Sequence, residues 1–167
     1  MVVMGEVVTL VNERDRVIGS KERAELGNDD RWRIVTIWVT DTEGNVLMAK
    51  RSADKKVQPG LWGPGASGTV THPDDYTTSA QRELFEELGL KRENLASLGK
   101  ILFKSTLGQR VCALFRTEVD LDQERISFQE EEISEVKWMS PKDLIRDYTE
   151  HPKKYVIEFG LLLEQYL

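Results

Sequence analysis

Between Thr77 and Gly89 the chain sets Glu83, Glu86 and Glu87 at i, i+3 and i+4, which gathers three carboxylates on one face of a helix. Ala80, Leu84 and Leu88 fall on the adjoining face and anchor such a helix to a core. Thr77 or Thr78 opens the helix, and Gly89 supplies a C-terminal stop. Crowded carboxylates repel one another, so the cluster is read in one of two ways. It is a solvated acidic face with Arg82–Glu86 as an i,i+4 pair, or it is a site for a hard divalent cation. Magnesium takes oxygen ligands, needs few protein carboxylates and fills its shell with water and phosphate oxygens.

The rest of the chain reads mostly as strands. Val7 to Val11 and Arg33 to Thr40 are β-branched and aromatic, and Val17 to Gly19 follows a turn at Asp15-Arg16. The turn Asp41 to Asn45 leads into Val46 to Lys50 and predicts a hairpin. Lys21 to Leu26 reads as a short helix and Lys55 to Gly68 as a Gly/Pro-rich stretch, with a strand around Ala66 to Thr71. Further strands are expected at Leu98–Lys104, Val111–Val119 and Ile133–Met139. Ser140-Pro141 caps a helix over Lys142–Tyr148, and Tyr155–Leu167 reads as a closing helix with Val156, Phe159, Leu163 and Tyr166 on one side. Many strands without regular strand–helix alternation predict a mixed α/β (α+β) domain spanning 1–167, not a doubly wound one.

Composition narrows the function. The 167 residues carry a net charge of −6, which disfavours a nucleic-acid polymer as partner. An anionic small molecule remains compatible if bound cations first invert the local field. No apolar run reaches bilayer length, and Met1 to Glu6 lacks the basic start of a secretory signal. The lone Cys112 excludes an internal disulfide and reads as a small buried hydrophobe. A cytoplasmic location without membrane association is expected.

The longer pattern from Gly68 to Leu90 resembles the box of the Nudix (MutT-like) hydrolase superfamily. That box has Gly, five residues, an acid, seven residues, then Arg-Glu-aliphatic-any-Glu-Glu-any-Gly-aliphatic. Each fixed position is met, with Asp74 standing where the family usually has Glu. The resemblance implies a Nudix α/β/α sandwich built on a mixed β-sheet, with the box helix on one side and the C-terminal helices on the other. It implies that Glu83, Glu86 and Glu87 bind Mg2+ (or Mn2+), that the Ser67 carbonyl adds a ligand, and that Arg82 orients Glu83. An acid outside the box often serves as base; Glu132 is the first candidate and Glu131 the second, with a solvated loop as the other reading of that run.

Outside the box, Leu10 to Gly19, Trp38 and the run Arg51 to Trp62 are similar to the isopentenyl-diphosphate isomerase branch of the superfamily. By that likeness Arg51 and Lys55 grip a substrate diphosphate. The isomerase chemistry does not carry over. Ser67 stands where that branch has cysteine, Arg110 where it has a glutamate, and two histidines are too few for its three-histidine site. Trp62 stacks on a base, lines an apolar pocket or simply packs. His72 is either solvent-facing or a substrate contact.

The expected function is magnesium-dependent cleavage of a small diphosphate, a nucleoside diphosphate or nucleotide derivative first. Isomerisation or hydrolysis of an isoprenoid diphosphate is the enzymatic rival, and a non-catalytic nucleotide sensor the other. A sensor has no need of the full carboxylate set. Homodimers are common in the superfamily, so a dimer is compatible with the resemblance.

Overall fold

The computed structural model describes residues 5–106 and 108–167, so Met1 to Met4 of the segment read for a leader lie outside it. Among the described residues nine strands and three α-helices run β1 (Val7–Val11), β2 (Val17–Glu22), β3 (Arg31–Asp41), β4 (Val46–Arg51), β5 (Trp62–Pro64), β6 (Ala66–Thr69), α1 (Tyr76–Leu88), β7 (Ala96–Ser105), β8 (Gly108–Val119), β9 (Ile133–Met139), α2 (Pro141–Glu150) and α3 (Phe159–Tyr166).

β3 is the axis of the sheet. β8 pairs with it in parallel from Arg31↔Gln109 to Asp41↔Val119, taking one edge along its whole length. β1, β6 and β4 share the other edge, antiparallel, at Leu10↔Trp32, Ile34↔Thr69 to Ile37↔Ala66, and Thr40↔Val46. The expected β3–β4 hairpin therefore lasts for that one pair. β4 then leaves to pair with β5 and β9.

Side chains alternate across a strand, so the sheet sorts its apolar residues onto two faces. Val35, Ile37 and Val39 pack with Leu47, Ala80, Leu84 and Leu88 beneath α1. Trp38 packs with Val46, Met48, Leu114, Leu144 and Phe159 beneath α2 and α3. This is the mixed-sheet α/β/α sandwich that the box implied. Leu84 and Leu88 are fully buried, each stabilising the helix–sheet contact by roughly 1.5–3 kcal/mol.

α1 begins at Tyr76, slightly before the expected threonines, because the Asp75 carboxylate accepts from Thr78 N–H at 2.8 Å as N-cap. Gly89 ends it with φ +71°, a conformation that disfavours any side chain. Ser140 caps α2 as expected, accepting from Asp143 N–H at 3.1 Å.

Two expectations need correction. Lys21 and Glu22 finish β2, paired with Val8 and Val7, which leaves only the 3-10 turn Arg23–Glu25 where a helix was read. The closing helix is confined to Phe159–Tyr166. Tyr155 instead forms a parallel bridge to Trp62, and Val156 N–H donates to Trp62 O at 2.9 Å. Helical periodicity was present in this segment, but the open edge of β5 competed for its backbone and won.

Candidate active site

The site begins where α1 crosses β6. Pairing with β3 puts Ser67 opposite Thr36 and Gly68 opposite Val35, fixing the backbone that the helix faces. The Glu83 carboxyl group lies directly on Gly68, and a Cβ there would overlap it. Glycine is needed at this position for close approach, not for backbone angle. One turn on, Glu87 accepts a hydrogen bond from Ser67 N–H at 3.2 Å.

Arg82 ties this corner together. Its Nη1 donates to Glu83 Oε1 at 2.8 Å, while Nη2 donates to Thr71 Oγ1 at 3.1 Å and Thr69 O at 3.4 Å. Asp74 stands 4.0 Å from its Nε, close enough to help steer the guanidinium. Glu86 is exposed and only 3.5 Å from Arg82 Nη1, so the surface-pair and ligand readings both have a geometric basis in that residue.

Burial gives the two inner carboxylates an unusual electrostatic state. Desolvation, offset in part by Arg82 and aided by the Glu86 charge, raises the Glu83 pKa to about 7. Burial and then the Glu83 charge push Glu87 well above the ordinary carboxylate range, against the Ser67 N–H and Arg51. Among the described residues no three acidic, histidine or cysteine groups form a ready cation cage. The donors nonetheless fit a hard divalent cation. They are all oxygen, they lie over a bare glycine backbone, and two protein carboxylates are enough for magnesium. Such a charge would offset the desolvation and the mutual repulsion that raise both pKa values.

A cavity of about 360 Å³ opens in front of these groups. Arg51 and Lys55 reach it from the end of β4 and the following loop, and Glu132 reaches it from just before β9. Ser52 N–H donates to Glu132 O at 3.0 Å, which stitches the two segments together and lets Lys55 pair with the Glu132 carboxylate. Arg51 Nε donates to Val57 O at 3.0 Å. Burial draws its pKa below the ordinary value, and the charges of Glu87, Glu132 and Glu158 oppose that shift. The cavity thus brings the α1 carboxylates and the cations Arg51 and Lys55 to one space.

Of the residues singled out from the sequence, Arg51, Lys55, Ser67, Arg82, Glu83, Glu86, Glu87 and Glu132 all line this space. Trp62 does not. Its ring is 8% exposed and packs in the α2/α3-side core, with Lys137 Nζ 4.2 Å from the ring centroid, so packing is the reading the structure supports. Glu131 is exposed and outside the lining. His72 is exposed too, its Nδ1 3.3 Å from Thr9 Oγ1. Cys112 is fully buried, and burial pushes its thiol up to about 12.

Sequence reasoning missed a further part of the cavity lining. Arg110 Nη2 and Glu158 Oε1 are 2.5 Å apart with side chains 10% and 7% exposed, and both line the cavity. Gln58 Nε2 donates to Glu158 Oε2 at 3.1 Å, and its Oε1 accepts from Ile157 N–H at 2.6 Å. At the mouth, Arg23 Nη1 donates to Glu6 Oε2 at 2.6 Å. Arg110 stood out only as a departure from the isomerase pattern. Glu158 had no local signal, because its segment read as helix.

Comparison with known proteins gives the same picture. The family described as the NUDIX domain matches residues 30–159. An uncharacterized Nudix hydrolase of Pseudomonas aeruginosa is 34% identical over 140 residues, covering 82% of this chain and 80% of that protein. The crystal structure of DR0079 from Deinococcus radiodurans superposes with a TM-score of 0.82 at 24% identity, covering 96% of this chain and 98% of that one, a likeness of fold. The NUDIX domain of Shewanella oneidensis NrtR, solved with ADP-ribose, superposes with a TM-score of 0.63 at 18% identity over 80% of this chain and 84% of that one.

Proposed function

The chain belongs to the Nudix hydrolase family, and from that premise we propose that it cleaves the phosphoanhydride of a small diphosphate with magnesium (manganese substituting), a nucleoside diphosphate or related nucleotide derivative being the substrate. One observation carries the reading. The carboxylates of α1 and the cations Arg51 and Lys55 line the same cavity, as binding of a metal-complexed diphosphate requires.

In this reading Glu83 and Glu87 hold the cation from the helix, with Glu86 reaching in from the exposed turn and the Ser67 carbonyl adding a ligand from β6. Bound there, the cation would neutralise the diphosphate, stabilise the departing phosphate oxygen and acidify a water. Arg51 and Lys55 take the outer phosphate oxygens; Arg82 keeps Glu83 aimed at the site. Glu132 exchanges its partnership with Lys55 for the attacking water and accepts its proton. The ADP-ribose bound by the NrtR domain supports a nucleotide-derived substrate. The similarity of Arg51 to Trp62 to the isomerase branch supports the diphosphate grip, whereas Ser67 and Arg110 give no support to isomerase chemistry.

The deciding experiment measures phosphate and monophosphate release with magnesium. The panel holds nucleoside di- and triphosphates, nucleotide sugars, ADP-ribose, dinucleoside polyphosphates and isopentenyl diphosphate. Metal-dependent release from the nucleotide group is expected. Binding without release in a folded protein would turn the assignment toward a nucleotide sensor.

A further inference from the structure

The Arg110–Glu158 pair stands in an odd place for a structural ion pair. Burying two charges costs desolvation that a pair only partly recovers, and apolar replacements often serve a core as well or better. Here the pair lines the cavity, which Ile34, Phe103, Val156 and Leu162 also line, so that hydrocarbon at these two positions would have extended its apolar part. Arg110 Nε is buried without a hydrogen-bond partner among the described residues, a further cost for a purely structural role. Glu158 already accepts from Arg110 and Gln58, yet a carboxylate offers about four acceptor positions.

Aromatic recognition is poorly served in the same space. Trp62 is packed away in the core, and the Arg110 guanidinium lies over Phe103 with its carbon 5.7 Å from the ring centroid. This wall therefore reads its ligand by hydrogen bonds. Resting on the diphosphate-hydrolase reading, we propose that Arg110 and Glu158, braced by Gln58, are the specificity-determining residues, selecting a diphosphate whose attached group is uncharged and presents a hydrogen-bond donor beside an acceptor. A nucleobase edge has that chemistry and so does a pair of sugar hydroxyls. An isoprenyl chain lacks it, and hydrocarbon seated against the pair would leave its remaining hydrogen-bonding positions unmet.

The test compares kcat/KM for cytidine, uridine and adenosine diphosphates, for ribose 5-diphosphate, which has hydroxyls and no base, and for isopentenyl diphosphate. In the wild-type protein the best hydrogen-bonding substrate should exceed isopentenyl diphosphate by on the order of 10⁴-fold, as sites built around buried polar groups do. The pair Arg110→Met with Glu158→Leu should cut that ratio at least about 100-fold, mostly through KM for the polar substrates, while isopentenyl diphosphate is turned over as well or better. Glu158→Gln keeps the shape of the wall; it should cut the ratio at least about 5-fold, and it decides the matter if the double variant does not fold. Whether ribose 5-diphosphate ranks with the nucleotides separates hydroxyl recognition from base recognition.

Equal or better use of isopentenyl diphosphate by the wild type would overturn the proposal and leave diphosphate hydrolysis standing. An unchanged ratio in a folded variant would overturn it as well. If no diphosphate is hydrolysed, the hydrolase reading has failed instead. The dissociation constants of methylene-bridged analogues of the same compounds, measured by calorimetry with magnesium, then decide the selectivity by the same ratios.

Discussion

The two walls of the cavity are built in opposite ways. The α1 wall comes from one helix and the strand it crosses: Glu83, Glu86 and Glu87 are set by helical spacing, and Gly68 lets the Glu83 carboxylate approach the backbone. The wall around Arg110 and Glu158 is collected from four distant places. Gln58 comes from the β4–β5 loop, Phe103 from β7, Arg110 from β8, and Glu158 from the segment that docks on β5. The first is stiff, because Leu84 and Leu88 bolt its helix to the sheet. The second depends on side-chain bonds between segments. Chemistry common to a family belongs on the first kind of wall, and selectivity peculiar to one member on the second.

Substitutions on each wall should therefore fail differently. Glu87→Gln removes a proposed metal ligand from the helix wall and should lower kcat on the order of 10²–10³-fold on the best substrate, with the fold retained by circular dichroism. Full activity in both Glu86→Gln and Glu87→Gln would sink the assignment of metal binding to this face. Gly68→Ala forces the Glu83 carboxyl aside and should cost about 10–100-fold in magnesium affinity or kcat, the scale seen when groups supporting a metal ligand are lost. A magnesium titration of activity that superposes on the wild type would show that close approach at Gly68 is dispensable.

On the Arg110–Glu158 wall, Gln58→Leu breaks the two Gln58 bonds to 157–158, each of modest strength. KM should rise about 3–10-fold with kcat nearly unchanged. A fall in kcat without a change in KM would mean that this wall takes part in chemistry and that the contrast between the walls is false. The smallest effect is on stability. Glu83 holds its proton more tightly folded (pKa about 7) than at its ordinary value of 4.5, so between those values the folded protein binds more protons than the unfolded chain. Metal-free protein should lose stability as pH rises through that window, with Glu87 acting in the same direction. Melting temperatures in chelator from pH 5 to 8 should fall by a few degrees for the wild type, and less for Glu83→Gln.

The same division separates what the sequence could reveal from what it could not. The helix wall was readable because its information is periodic and contiguous: carboxylate spacing, the apolar stripe and the glycines all lie between Gly68 and Leu90. The strand pattern was readable for the same reason, since alternation at Val35 to Val39 sorts residues onto two faces without knowledge of partners. Trp62 was ambiguous because an aromatic beside a phosphate-handling run looks the same whether it points into the site or the core. Arg110 and Glu158 were beyond reach for a different reason. Their meeting depends on a backbone choice at Tyr155 to Glu158 that local propensity misjudged, and a free strand edge decided it.

That late segment also orders events in time. A nascent chain completes the carboxylate helix by Leu88, about seventy residues before Glu158 is synthesised. Ser67, Glu83, Glu86 and Glu87, the proposed metal ligands, are therefore all in the chain before either member of the Arg110–Glu158 pair. In the order of synthesis, then, the groups proposed to hold the metal come first, and the pair proposed to select the substrate is complete only once Glu158 is made.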